Sequence, residues 1–233
     1  MTEENQLNLF DITPFDAPLD TPSFNPELIP TRADIPIPPG TYSTVDELSI
    51  PCNQCHRCGL GANRTHAVIG RGNPHAPIMI IGEAPGQTED ETGLPFVGKS
   101  GELLEKILAS VKLSTEKDVY ICNVNKCRPP GNRAPTPDEM EACKPYLLEQ
   151  IRLVNPSIIL LTGATAVKGL LKEKRGITKI RGQWFEWEGK FCMPIFHPAY
   201  LLRNPSREKG SPKWLMWQDV QTVSAKLAEL GLK

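Results

Sequence analysis

The sequence predicts an α/β protein with a mainly parallel sheet that helices cover on both faces. Two observations predict this fold. Short apolar runs, typical of buried strands, alternate along the chain with segments of helical periodicity. The length of 233 residues, 39% of them hydrophobic and 23% charged, suits one globular domain with an additional segment.

Each element is predicted from a local pattern. Ser100 is a helix-capping residue type and is followed by apolar residues at helical spacing. Pro137 with the acidic residues after it is typical of a first helical turn, and Glu188-Gly189 suits a hairpin. In chain order, the predicted elements are a strand at 78–81, a helix at 100–113, a strand at 118–124, a helix at 137–154, a strand at 157–162, a helix at 164–171, a hairpin of strands 184–187 and 190–196, and a helix at about 212–230.

Charge and proline are concentrated at the start of the chain. Residues 1–51 contain nine acidic residues, one basic residue and nine of the 23 prolines, whereas the remainder has a net charge of +7. Because an acidic, Pro-rich segment buries little apolar surface, we expect a disordered tail at residues 1–47 and a folded domain at 48–233. The basic domain permits a polyanionic partner, and an ordinary mildly basic domain is the alternative.

The sequence also indicates a cellular location. It contains no apolar run of the roughly 18 residues that a membrane span needs, and no secretory signal is evident at its start. Seven cysteines, an odd number, favour free thiols in a reducing compartment. We therefore expect a cytoplasmic protein without a membrane partner.

Five cysteines have a spacing that is typical of a metal centre. Cys52, Cys55 and Cys58 form two overlapping C-x-x-C pairs, and Cys127 and Cys143 follow with 15 residues between them. Two thiolates from one C-x-x-C pair and two from elsewhere complete a four-sulfur site, which suits either zinc or an iron–sulfur cluster. Spacing alone does not identify the spare thiol among the first three. Cys122 and Cys192 lie in strand patterns and are expected to be buried thiols.

Two further motifs lie where predicted strands end, which is where open parallel sheets bind ligands. Gly82-Glu83-Ala84-Pro85-Gly86 is a tight Gly-rich turn, and Asn123 ends a second strand. His197 follows a third strand and precedes a loop of leucines and arginines, a combination suited to entering a duplex and binding its phosphates. The alternatives are that residues 82–86 form a merely structural turn, that Asn123 belongs to a strand-end turn, and that His197 is a structural histidine.

Together these motifs resemble the family-four uracil-DNA glycosylases, the iron–sulfur branch of that superfamily. The resemblance extends from about residue 55 to residue 230 and is carried by residues 82–86, 94–101, 119–123, 126–135 and 197–205. It implies a three-layer α/β/α sandwich around a mainly parallel four-stranded sheet. It also implies a monomeric DNA-repair enzyme that releases uracil from single- or double-stranded DNA.

The resemblance assigns roles to individual residues. It implies a [4Fe–4S] cluster on Cys55, Cys58, Cys127 and Cys143, with Cys52 spare. It further implies that Phe96 stacks on the flipped uracil, that Asn123 reads the edge of the base, and that His197 donates to uracil O2. The best-known branch has an aspartate at the position of Ala84, so Glu83 is the candidate for positioning water or the sugar, with bracing of the loop as its alternative role.

Two larger sets complete the implied site. The residues expected to line the base pocket beside Phe96 and Asn123 are Gly82, Ala84, Gly86 and Glu89. The residues expected to contact DNA are Lys99, Ser100, Gly101, Leu201, Leu202, Arg203, Ser206 and Arg207, with Leu201 as the main wedge.

The tail carries a separate signal, since Gln6, Leu7, Leu9 and Phe10 resemble the short peptide that binds bacterial sliding clamps. A chance apolar cluster in a disordered tail is the alternative.

For the domain, the competing function is a non-catalytic iron–sulfur protein of the same fold that binds nucleic acid. A related branch that forms a covalent adduct with DNA through a histidine is disfavoured, because residues 126–133 contain no histidine.

Overall fold

The computed structural model describes residues 40–232, which contain one six-stranded sheet. In sequence order the strands are β1 (Arg71–Gly72), β2 (Ile78–Gly82), β3 (Val119–Asn123), β4 (Ile158–Thr162), β5 (Phe185–Trp187) and β6 (Lys190–Ile195). Their order across the sheet is β1-β3-β2-β4-β6-β5. The four central strands are parallel, as predicted, and the two short edge strands are antiparallel to their neighbours.

Eight α-helices surround this sheet in the described part of the chain. They are α1 (Ser49–Asn53), α2 (Gln87–Thr92), α3 (Lys99–Ser110), α4 (Pro137–Val154), α5 (Ala164–Leu171), α6 (Ile177–Ile180), α7 (Pro198–Arg203) and α8 (Pro212–Glu229). Short 3-10 turns occupy Gly59–Ala62 and Pro130–Asn132. The bounds of α4 and α5 are those predicted, because Thr136 and Gly163 before them and left-handed residues after them fix both ends.

The two faces of the sheet are covered by different helices, which gives the predicted three layers. Because side chains alternate along a strand, Ile78 and Ile80 belong to one buried cluster and Met79 and Ile81 to the other. The first cluster includes apolar residues of α3, α7 and α8, and the second includes those of α4 and α5. The parallel strands are therefore buried on both faces.

Several local predictions differ from the structure. Gly98, not Ser100, is the N-cap of α3, which ends at Ser110 rather than at residue 113. The segment after His197, expected to be a loop, is the helix α7, since His197 accepts a hydrogen bond at its start and Pro198 suits the first helical position. Helix α2 and strand β1 were not predicted, because neither is long enough to show periodicity.

The folded unit begins before the predicted boundary at residue 48. Tyr42 and Val45 are buried, and the Tyr42 amide donates to Glu149 Oε1 at 3.4 Å. Arg152 Nη2 in turn donates to the Tyr42 carbonyl at 2.6 Å. Residues 40–47 thus pack on α4, whereas the rest of the predicted tail, with its motif at residues 6–10, lies outside the described residues.

None of the helices in residues 40–232 combines the length and the apolar character that crossing a membrane requires.

Candidate active site

The carboxyl ends of the parallel strands border a cleft of about 790 Å³. Gly82 at the end of β2 pairs in register with Asn123 at the end of β3, and His197 follows β6 by two residues. Glu83, Phe96, Asn123 and His197 all line the cleft. The structure therefore brings together the residues that the sequence singled out at separate strand ends.

Asn123 lies at the floor of the cleft. Its side chain is only 2% exposed, and its carboxamide makes no hydrogen bond with any residue of the described range. A buried amide without a partner is costly, so its donors and acceptor are available to a ligand. Gly82 does not itself line the cleft. A Cβ at Gly82 would lie 2.3 Å from Asn123 Oδ1 and 2.7 Å from the Phe96 ring, so the glycine lets both side chains approach the strand.

Phe96 is held in place by its backbone. It has a left-handed φ of 54°, which is unusual for an aromatic residue, and its side chain is 6% exposed. Arg71 on β1 donates to the carbonyls of Pro95 at 2.7 Å and Phe96 at 3.1 Å. Gly101 packs against the same carbonyl, where a Cβ would lie 1.7 Å from the oxygen. Arg71 was not predicted, since only the tertiary structure brings β1 next to this loop.

His197 lines the cleft with one ring nitrogen already bonded to the main chain. As the N-cap of α7, its Nδ1 accepts a hydrogen bond from the Ala199 amide at 3.1 Å. The proton of the neutral imidazole therefore resides on Nε2. Burial lowers the pKa of His197, with a smaller opposing influence from the nearby Glu83 carboxylate, so the neutral form is favoured. The ring stacks on Phe96 with a centroid distance of 5.7 Å.

The two acidic residues of the cleft have different partners. Glu89 Oε1 accepts from the amides of Val97 and Gly98 at 3.1 and 3.0 Å, and its Oε2 accepts from the Gly86 amide at 3.1 Å. Glu89, which was expected near the base, therefore braces the loops on both sides of the pocket. Glu83, for which bracing was the alternative role, instead accepts a hydrogen bond from the Thr165 hydroxyl.

Thr165 was not singled out from the sequence, because its position one residue into the α5 helix carries no motif. The remaining predicted pocket residues, Ala84 and Gly86, both line the cleft.

The predicted DNA contacts divide into exposed and buried residues. Lys99, Ser100 and Arg203 line the cleft, and Ser206 and Arg207 are exposed beyond α7. Leu202 is 43% exposed, but Leu201 is 1% exposed within the core, so the expectation that Leu201 is the main wedge is wrong. Gly101 is also buried and its amide donates to the Gly98 carbonyl at 2.8 Å, so its function is packing rather than phosphate contact.

Five cysteines surround a second, small cavity, and four of them receive N–H donors. Amide or guanidinium groups donate to Cys55, Cys127 and Cys143 at 3.3–3.4 Å. Burial raises the pKa of the Cys58 thiol, with a smaller opposing influence from main-chain hydrogen bonds of Leu60 and Gly61. Cys52 is 2% exposed, and none of the hydrogen bonds described for residues 40–232 reaches its sulfur.

In that same range no three Cys, His, Asp or Glu side chains are arranged as a metal site. The donor chemistry of the four thiols nonetheless fits a thiolate-bound metal centre, because N–H donors stabilise sulfur in its charged form.

Comparisons with known proteins match this chain to a family. The model of the uracil DNA glycosylase superfamily matches residues 69–221. The type-4 uracil-DNA glycosylase of Thermotoga maritima is 50% identical over 157 residues, which are 66% of this chain and 81% of that protein. The type-4 enzymes of Sulfurisphaera tokodaii and Archaeoglobus fulgidus are 44% and 41% identical, over 66% and 70% of this chain and 74% and 85% of theirs. The chain therefore belongs to the uracil DNA glycosylase superfamily, and within it to the type-4 uracil-DNA glycosylases.

Proposed function

We propose that this protein is a DNA-repair enzyme that removes uracil from DNA by hydrolysing its bond to deoxyribose, leaving an abasic site. Its relatives named type-4 uracil-DNA glycosylases support this function. The observation that carries it is the neutral imidazole of His197, whose Nε2–H shares one cleft with the unpartnered amide of Asn123 and the ring of Phe96. A protein that only binds nucleic acid, the alternative function, has no need of this combination.

Recognition of the base begins with its extrusion from the stack, which costs a few kcal/mol. The face of Phe96 offsets part of this cost, since stacking on an aromatic ring contributes about 1–3 kcal/mol per base. The Asn123 carboxamide accepts from uracil N3–H and donates to O4. Cytosine presents the opposite pattern and would leave this buried amide unpaired, so polar recognition discriminates strongly.

Cleavage follows from charge development on the base. As the bond between uracil N1 and the sugar carbon breaks, its electron pair remains on uracil, and the Nε2–H of His197 donates to O2 of the resulting anion. The oxygen of a water molecule then bonds to the cationic sugar carbon. Glu83, oriented by Thr165, positions this water and accepts its proton. The products are uracil and an abasic sugar.

The rim of the cleft holds the DNA. Lys99 and Arg203 border the opening, and Arg207 lies just beyond α7, where each can contact phosphates. The amides at the start of α3 suit an anion. Leu202, as the exposed leucine of α7, fills the space in the duplex that the flipped base vacates.

We assign a [4Fe–4S] cluster to Cys55, Cys58, Cys127 and Cys143. The hydrogen bonds to these four thiols and the absence of one to Cys52 within the described part support this ligand set over any that includes Cys52. Bound there, the cluster would supply a structural link between segments that are distant in the sequence.

Two further parts of the proposal concern the setting of the enzyme. The tail motif at Gln6, Leu7, Leu9 and Phe10 is proposed to bind a sliding clamp, which titration of clamp with wild type and with Leu9→Ala/Phe10→Ala would test. Equal affinity of both proteins would remove this partner.

We also propose a cytoplasmic monomer, in keeping with seven unpaired cysteines.

The deciding experiment is incubation with oligonucleotides that contain a single U, T or C, in single-stranded and duplex form, followed by alkali. We expect strand scission at U alone. Binding of the oligonucleotide without scission at U would support the non-catalytic alternative.

A further inference from the structure

Lys126 is the one buried lysine among residues 40–232, with an exposed fraction of 0%. No carboxylate in that range pairs with it; its ammonium group instead donates to the main-chain carbonyl of Asn123. A buried cation without a carboxylate is unfavourable unless other groups compensate it. The position of Lys126 therefore calls for a source of negative charge besides this carbonyl.

The thiol cavity supplies such a source. Lys126 lines this cavity together with the five cysteines, and its own amide donates to Cys143 Sγ at 3.3 Å. Cysteines that bind a metal do so as thiolates, which are negatively charged. One residue thus bonds the thiol set through its main chain and the base pocket through its side chain.

The bond at the pocket end bears directly on base recognition. Asn123 is the last residue of β3, and beyond it the amides of Val124 and Asn125 donate to the carbonyls of Gly82 and Glu83 at 2.9 and 3.1 Å. The Lys126 ammonium adds a charged hydrogen bond to the Asn123 peptide itself, and such bonds are stronger than neutral ones. The orientation of this peptide sets where the Asn123 carboxamide lies in the cleft.

We propose that Lys126 is a positioning residue that ties the uracil-reading Asn123 to the cysteine cavity and serves as the counter-charge of the thiolates there. This inference rests on the proposed function, and it assigns to the metal centre an influence on base recognition through one side chain. A change in the charge or position of the thiols then shifts the Lys126 ammonium group, and this shift alters its hydrogen bond to the Asn123 carbonyl beside the base pocket.

The test is a double-mutant cycle between Lys126→Met and Asn123→Ala. Lys144→Met is the matched control, because Lys144 also adjoins a cysteine of the cavity in the sequence, Cys143. Single-turnover excision of uracil, affinity for an abasic-site oligonucleotide and iron content are measured for each protein. We expect Lys126→Met to lower the excision rate on the order of tenfold to a hundredfold, with affinity for abasic DNA within about twofold of wild type. In the Asn123→Ala background the same change should have little further effect, because both substitutions disrupt one function.

A rate for Lys126→Met close to that of wild type would overturn the proposal, and so would a loss that simply adds to that of Asn123→Ala. Should Lys126→Met fail to retain iron, Lys126→Gln, which keeps a polar amide without the charge, replaces it in the same cycle with the same criteria. Transfer of iron to a chelator provides a readout independent of activity, and we expect it to be faster in both Lys126 variants than in Lys144→Met; equal transfer rates would contradict the counter-charge. A wild-type protein without uracil excision would refute the proposed function, whereas the chelator measurement would still test the counter-charge.

Discussion

At the scale of single residues, the chemistry depends on which atoms of a side chain are already engaged in hydrogen bonds within the protein. The bond from Ala199 to Nδ1 leaves His197 with its proton on Nε2, and the three amides on Glu89 leave Glu83 as the carboxylate with a single protein partner in the cleft. The two carboxylates, for which the resemblance implied different roles, therefore differ in their hydrogen-bond partners.

Replacing His197 by Ala removes the group that we propose as the donor to the departing uracil anion. We expect an excision rate lower by about 10²–10³, as for the loss of an oxyanion-hole donor, with little change in affinity for DNA. Single-turnover kinetics and binding to an abasic-site oligonucleotide separate the two effects. Equal losses of rate and affinity would contradict the assigned role.

The same residue predicts a pH dependence. Because burial lowers the pKa of His197 below its ordinary value of 6.5, the unfolded chain binds this proton more readily than the folded one. The contribution of His197 to stability is therefore complete above pH 6.5 and is lost as the pH falls towards the lowered pKa. Denaturant unfolding at a series of pH values, compared with His197→Ala, should show this loss in the wild type and a weaker one in the variant.

Thr165→Val tests whether the hydroxyl on Glu83 orients the carboxylate. Loss of one hydrogen bond to a charged group corresponds to about 1.5–3 kcal/mol, so we expect a rate reduction on the order of tenfold to a hundredfold. Thr178→Val is the matched control, since Thr178 lines the same cleft without a bond to Glu83. Similar rates for the two variants would show that the Thr165 hydroxyl is dispensable.

At the scale of elements, the start of α3 holds the Phe96 loop. Gly101→Ala would force a Cβ against the Phe96 carbonyl and should destabilise the fold by about 1–3 kcal/mol, the usual cost of overpacking, while lowering activity through Phe96. Gly59→Ala has no heavy atom within 4 Å of its Cβ and should leave both properties unchanged. Denaturant unfolding and the excision assay measure the two effects; unchanged stability in Gly101→Ala would refute this packing.

Helix α7 separates adjacent leucines into a core residue and an exposed one. Leu201→Ala should cost about 2–5 kcal/mol of stability, as large-to-small changes in a core do. Leu202→Ala should leave stability nearly unchanged but reduce excision from duplex DNA more than from single strands, because only the duplex requires a wedge. The two substrates, assayed side by side, provide the internal control, and equal reductions on both would contradict the wedge.

At the scale of the whole molecule, the cysteine cavity joins the segment at residues 52–58 to the chain that follows β3 and to α4. Cys127→Ala should therefore abolish the absorbance at about 400 nm and the bound iron, while Cys52→Ala should retain both. The two variants remove the same atoms from the same cavity, so their difference reports on the ligand set. Retention of iron by Cys127→Ala, or its loss from Cys52→Ala, would overturn the assignment.

The central strands, the long helices and the strand-end site could be predicted from the sequence, because apolar runs, helical periodicity and strand-end motifs are all local patterns. The burial of Leu201 was not predicted, since a short helix such as α7 shows too little periodicity to reveal which side faces the core. Arg71 and Thr165 were missed because their partners are 25 and 82 residues away in the chain.

The sequence by itself determined the family, the parallel core and the identities of the groups that can read and release a base. Only the tertiary structure decided which carboxylate has a single protein partner, which histidine nitrogen carries the proton, which cysteine lacks a donor and where the ammonium of Lys126 is buried. These properties depend on hydrogen bonds and burial between segments that are far apart along the chain, and such contacts come into existence only when the chain folds.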